Sequence, residues 1–150
     1  MNSRVAEVGS PRPSVQFSLM FLLDTNTLIY FFKGQGRVPE RMLATPPGEV
    51  AISAVSLYEI EVGIAKSAQP AKRRRQFDTF LAVVSLLPFD RPAARAAATV
   101  RAELERRGRP IGPLDNLIAG TALAHRATLV TRNTREFSRL PNLAVIDWYG

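Results

Sequence analysis

The chain has no cysteine, which excludes disulfides, zinc–thiolate centres and thiol nucleophiles. Its one histidine, His125, excludes multi-histidine metal centres and argues against a serine–histidine triad. His125 stands beside Arg126 at an expected helix end, where an imidazole suits the helix dipole. Lysine is confined to Lys33, Lys66 and Lys72. No apolar run approaches the ~20 residues needed to span a bilayer, and residues 1–19 lack the continuous apolar core of an export signal. Those nineteen residues carry Gly9, Pro11 and Pro13, so they are expected to form a mobile extension, with Met20 as an alternative start. The protein is expected to stay in the cytoplasm. Catalysis, where there is any, must rest on carboxylates, hydroxyls, amides or arginines.

What remains is basic. Twenty Lys+Arg against thirteen Asp+Glu give +7, and seventeen of the twenty are arginine. The planar arginine fork suits bidentate phosphate contacts, so a polyanionic partner is expected. Arg73, Arg74, Arg75, Arg106, Arg107 and Arg109 are the candidates for backbone phosphate. A length of 150 residues and 46% hydrophobic residues suit one domain over residues 20–150.

Short apolar runs alternate with helical stretches. Strands are expected at residues 20–23, 50–53, 86–89, 128–131 and 143–146. Helices are expected from Thr25 or Asn26 to Phe32, from Ser53 onward, over 70–84, over 91–107 and over 113–125, with shorter turns at 39–43 and 134–137. On the Ser53 helix, Val55, Tyr58, Val62 and Ala65 fall at helical spacing; on the next, Phe77, Phe80 and Leu81 are expected to face inward. The pattern predicts an α/β domain with a largely parallel sheet sandwiched by helices.

Four acids stand in settings that bring a carboxylate to a cleft. Asp24 follows the first strand directly, where parallel sheets gather ligands. Thr25 and Asn26 can cap the next helix equally well, which would leave Asp24 free. Glu59 lies in an apolar helix stretch, and its rival Glu61 is about 200° away around the helix. Asp115 sits in a first helical turn, which favours negative charge, and Asn116 can reach the same space. Glu136 follows the fourth strand, near Thr131 and Asn133. Gathered carboxylates repel, which implies a divalent cation with oxygen ligands, Mg²⁺ or in substitution Mn²⁺.

The stretches Phe21-Leu-Leu-Asp-Thr-Asn, Ser56-Leu-Tyr-Glu-Ile, Arg109-Pro-Ile-Gly-Pro-Leu-Asp-Asn-Leu-Ile-Ala and Thr128-Leu-Val-Thr-Arg-Asn-Thr-Arg-Glu-Phe resemble, in this order, the PIN-domain family, and within it the VapC-type toxins of bacterial type II toxin–antitoxin pairs. The resemblance runs from about Met20 to Trp148. It implies a single PIN-like domain and a Mg²⁺-dependent endoribonuclease silenced by a VapB-type antitoxin. By motif match Asp24, Glu59, Asp115 and Glu136 are the catalytic acids. Asp24 and Asp115 would hold the metal directly, and Glu59 and Glu136 through water, supported by Asn26, Thr131 and Asn133. Many relatives have aspartate where this chain has Asn133, so the fourth acid is assigned to Glu136. The resemblance also implies a transfer RNA substrate, a homodimer, a toxin–antitoxin hetero-oligomer and operator DNA reached only through the antitoxin. Two other readings compete. One is a noncatalytic PIN-fold module that binds RNA or protein. The other is a haloacid-dehalogenase-type phosphohydrolase, but Asp24-Thr-Asn26 lacks its second aspartate and Arg132 stands nearest to its late lysine.

Overall fold

The computed structural model describes residues 20–150, and the extension expected over residues 1–19 lies outside them. Five parallel strands form one sheet: β1 (Phe21–Leu23), β2 (Val50–Ser53), β3 (Ser85–Leu87), β4 (Thr128–Val130) and β5 (Val145–Ile146), in the order β3-β2-β1-β4-β5. The connections run through α1 (Thr25–Lys33), α2 (Val38–Leu43), α3 (Ala54–Ala65), α4 (Pro70–Leu81), α5 (Arg91–Arg106), α6 (Pro113–Ala124) and α7 (Thr134–Phe137). Among the described residues no helix is long and apolar enough to cross a membrane.

Strand geometry sends successive side chains to opposite faces, and here both faces are covered. Leu22, Ala51 and Leu129 pack with Val100, Leu104, Ile118 and Ala122 of α5 and α6. Leu23, Val50, Ile52 and Val130 pack with Leu28, Ile64, Phe77 and Phe80 of α1, α3 and α4. Burial on both faces explains why the strands read as short unbroken apolar runs. The expected sandwich is present.

The central strand is also the topological switch. From β1 the chain moves to β2 on one side, and it returns to pair β4 on the other. The crevice at the carboxyl end of β1 is therefore where such a sheet accepts a ligand, and Asp24 stands there. The layer below is held by close packing of α5 on α6. A Cβ placed on Gly120 would lie 2.5 Å from the Ala97 Cβ and 2.7 Å from its backbone. Asn116, buried, donates its side-chain amide to the Ala97 carbonyl at 2.8 Å. Asn116 therefore does not use the space near Asp115 that was open to it; its amide joins two helices.

Other boundaries shift for local reasons. The third strand is Ser85–Leu87 rather than 86–89, because Pro88 has no N–H for a ladder. The fourth helix ends at Leu81 with Phe77 and Phe80 buried. The inward face of α3 differs from expectation. Val55, Ser56 and Ile64 are buried, with Leu57 and Ile60 packed on the core, whereas Tyr58 is 60% exposed and Val62 and Ala65 face solvent. With apolar residues around nearly its whole circumference, α3 gives no periodicity that could choose a face.

Gly120→Ala is expected to destabilise the fold by about 1–3 kcal/mol, the usual range for overpacking. Urea unfolding measures this; an unchanged midpoint would mean that α5 and α6 can separate freely.

Candidate active site

Asp24 is 5% exposed and caps α1, its Oδ1 accepting the Thr27 N–H at 2.8 Å. This overturns the expectation that Thr25 or Asn26 caps the helix and leaves Asp24 free. Its own N–H is fixed by the Val130 carbonyl at 3.0 Å, so the residue is locked between two strand ends. Burial raises the Asp24 carboxyl above the usual aspartate range; the Thr131 hydroxyl and the Thr27 N–H oppose this, and the charge of Glu59 adds to it.

Thr25 has another task. Its hydroxyl lies 2.5 Å from Glu59 Oε1 and 2.9 Å from Ser56 Oγ. A hydroxyl has one proton, so Thr25 donates to the carboxylate and accepts from Ser56. Ser53 Oγ in turn accepts the Ser56 N–H at 3.0 Å and caps α3. A chain of hydroxyls thus runs from one helix start to another and fixes one Glu59 oxygen. Glu61 points away and pairs with Arg74 on the surface, which settles which glutamate of α3 faces the cleft.

Asp115 lies in the first turn of α6, after Gly112 and Pro113. Burial pushes its carboxyl up from 3.8 to about 6, helped by the charges of Asp24, Glu136 and Glu59 in that order. The four acids from four segments therefore share one field. Asn133 donates its amide to Glu136 Oε1 at 3.0 Å, and the Asn133 N–H donates to Thr131 Oγ1 at 3.0 Å. Asn26 is exposed, and its side chain makes no hydrogen bond among the described residues. His125 ends α6, with a buried Nε2 that has no hydrogen-bond partner among the described residues.

No arginine or lysine of the described residues forms an ion pair with any of the four acids; the pairs engage Glu40, Glu61, Glu103 and Glu105 instead. Arg74, Arg106 and Arg107 are occupied in those pairs, while Arg73, Arg75 and Arg109 are not. Uncompensated, mutually repelling carboxylates fit a cation. No three of them converge into a closed cage among the described residues. A metal here would take one or two carboxylates and complete its shell with water, as Mg²⁺ does.

The PIN domain model matches residues 21–143. The chain belongs to the PIN-domain family. It is 38% identical over 130 residues to a tRNA(fMet)-specific endonuclease VapC of Shigella flexneri, covering 87% of this chain and 98% of the relative. It is 33% identical to the ribonuclease VapC2 of Rickettsia felis, with the same coverage. Among solved structures, a DNA-bound VapBC from Salmonella typhimurium superposes with a TM-score of 0.80 at 36% identity, covering 86% of this chain and 98% of that one. VapBC2 from Rickettsia felis, bound to a promoter DNA fragment, gives 0.79 at 33%, with coverage of 86% and 98%. The PIN fold expected from the four motifs is therefore the fold observed.

Sequence reasoning missed Thr25 and Ser56 as partners of Glu59. Their signal was weak: two hydroxyls beside two of the acids, joined only once β1 and β2 pair.

The raised Asp115 pKa fixes the sign of a pH effect. Between 3.8 and about 6 the folded chain holds more protons than the unfolded one, so stability falls as pH rises through that window, and above it the charged carboxyl is a full penalty. Without metal, Asp115→Asn is expected to raise stability at pH 7 by about 1 kcal/mol, after discounting for the solvent that reaches the group. The gain should vanish near pH 4. Melting curves in EDTA at both pH values test this, and equal gains at the two would refute the raised Asp115 carboxyl.

Proposed function

We propose that this protein is a Mg²⁺-dependent endoribonuclease toxin that cuts transfer RNA and is held silent by a VapB-type antitoxin. The observation that carries the reading is the uncompensated field of Asp24, Glu59, Asp115 and Glu136 at the switch point of a basic PIN domain. The names of the relatives, endonuclease and ribonuclease, support the reaction class.

Asp24 and Asp115 would hold the cation directly, and Glu59 and Glu136 through its waters. Bound there, the cation would acidify the attacking water and offset charge on the phosphate. Glu59, with one oxygen held by Thr25, keeps the other for orienting that water. Glu136 is held in place by the Asn133 amide. Attack of water on phosphorus with rupture of the bond to O3′ leaves a 3′-hydroxyl and a 5′-phosphate. Neither His125 nor a covalent enzyme intermediate takes part.

The antitoxin partner is supported by the DNA-bound VapBC assemblies. An apolar segment would seat in the cavity of about 390 Å³ between α1, α3 and α4, lined by Ile29, Phe32, Ile60, Gly63 and Arg73 and bordered by Glu59. Such a partner would deliver a cation to the acids. A toxin homodimer, a toxin–antitoxin hetero-oligomer and operator contact through the antitoxin alone complete the proposal, with the bacterial cytoplasm as the place of action.

Purified protein is expected to cleave bacterial RNA into discrete fragments with Mg²⁺ and not with EDTA. Asp24→Asn retains the cap, since asparagine caps as well as aspartate, so its loss of activity would be chemical. Asp24→Asn and Asp115→Asn should each lower cleavage by about 100-fold or more, the scale of losing a main electrostatic contact. Mg²⁺ should raise the melting temperature of the wild type with the logarithm of its concentration, and neither variant should respond. Full activity in either folded variant would refute the scheme. Thr25→Val should cost roughly 10- to 100-fold in kcat with little change in KM, and Thr25→Ser should restore most of it.

A further inference from the structure

Arg132 lies between two residues of the site, Thr131 and Asn133, yet it faces elsewhere. Arg132 lies in a bend beyond the carboxyl end of β4, and its side chain reaches Tyr30 of α1. There its guanidinium carbon lies 3.6 Å from the centroid of the Tyr149 ring and 5.8 Å from that of Tyr30. The side chains of Tyr30 and Tyr149 together hold its guanidinium above the ordinary arginine range. The Tyr149 ring is itself fixed: it meets Tyr30 edge-on at 4.9 Å and closes over Gly36, where a Cβ would fall 2.7 Å from the ring. Arg132 remains exposed and has no carboxylate partner among the described residues. Arg37, Arg74, Arg101, Arg106 and Arg107 are paired with glutamates; Arg132 instead rests against two aromatic rings with its charge unspent.

We propose that Arg132, clamped by Tyr149 and Tyr30, is an RNA-backbone contact that holds a phosphate flanking the scissile one on the α1 side of the cleft. The proposal rests on the ribonuclease reading and adds a residue that the four acids do not supply. The acids repel RNA at the point of cleavage, so a fixed cation beside them must draw the strand in. A guanidinium stacked on one face keeps its N–H edge for phosphate, and its immobility lowers the entropy lost on binding. An arginine serving only to tether Tyr149 to α1 would need no exposed, unpaired edge.

The test is binding of a labelled, unstructured oligoribonucleotide to the full chain in EDTA, across a salt series, with cleavage assayed in parallel under Mg²⁺. Arg132→Gln should bind roughly 3- to 10-fold more weakly, and its plot of log affinity against log salt should be shallower by about 0.7–1, the loss of one phosphate contact. Arg132→Lys should recover the slope but not all of the affinity, which also guards against misfolding of the first variant. Under Mg²⁺ the glutamine variant should raise KM more than it lowers kcat, and its Mg²⁺-induced thermal shift should match the wild type. An unchanged salt slope with a lower melting temperature would make Arg132 a structural tether and overturn the proposal. A wild type that neither binds nor cuts RNA would instead refute the ribonuclease reading, and this assignment with it.

Discussion

Repulsion among four carboxylates at the end of the central strand is the constraint around which this domain is organised. Each acid comes from a different segment, and each is held by an element whose local chemistry would place it there regardless of the others. Asp24 caps α1, Glu59 is gripped by a hydroxyl from the start of that helix, Asp115 occupies a first turn and Glu136 takes an amide from Asn133. Burial, and after it the charges of the other three acids, pushes the Asp115 carboxyl up to about 6. A fold selected for stability alone would place a lysine or arginine among them, and seventeen arginines were available. Instead the ion pairs lie on the outer helices. The destabilised cleft and the stable scaffold are therefore separate parts of one design, as expected where function opposes stability.

The scaffold meets that demand through closeness of packing. Leu22 and Leu23 point to opposite layers, so one three-residue strand anchors both halves of the core. Gly120 against Ala97, with the Asn116 amide across the same seam, brings α6 near enough for Asp115 to feel Asp24. Asn116 illustrates how a polar residue next to a site residue can serve packing. It is one position from Asp115, but on a helix that is 100° of rotation, enough to face the core instead of the cleft.

Much of this was legible from residues alone, and what was not failed for physical reasons. The strand–turn–helix rhythm located nearly every element, because a core buried on both faces leaves short unbroken apolar runs. The place of Asp24 at the crevice was readable from its position after β1. Its cap was not, because Asp24, Thr25 and Asn26 are all good capping residues and only backbone geometry selects one. The face of α3 was misjudged because apolar residues surround that helix; Tyr58 and Val62 lie outside the core. The Thr25–Ser56–Glu59 contact was invisible because it joins residues more than thirty positions apart. Periodicity left Glu59 and Glu61 as rivals, and only the motif match pointed to Glu59. Their separation in space came from Arg74, a partner on a different helix.

The cap on α1 has a consequence for the cation itself. Asp24 Oδ1 is committed to the Thr27 N–H, and one Glu59 oxygen is committed to Thr25. Each of those oxygens keeps a second lone pair, but bidentate binding of a cation would share it with a structural bond and weaken that bond. Ca²⁺, which takes six to eight oxygens and readily accepts bidentate carboxylates, would be poorly served by such donors. Mg²⁺ needs fewer protein ligands and retains its waters, and water is the reactant that phosphodiester hydrolysis requires. Under the proposed reading, the hydrogen bonds that stabilise the two helix starts would therefore favour the ion that carries its own water.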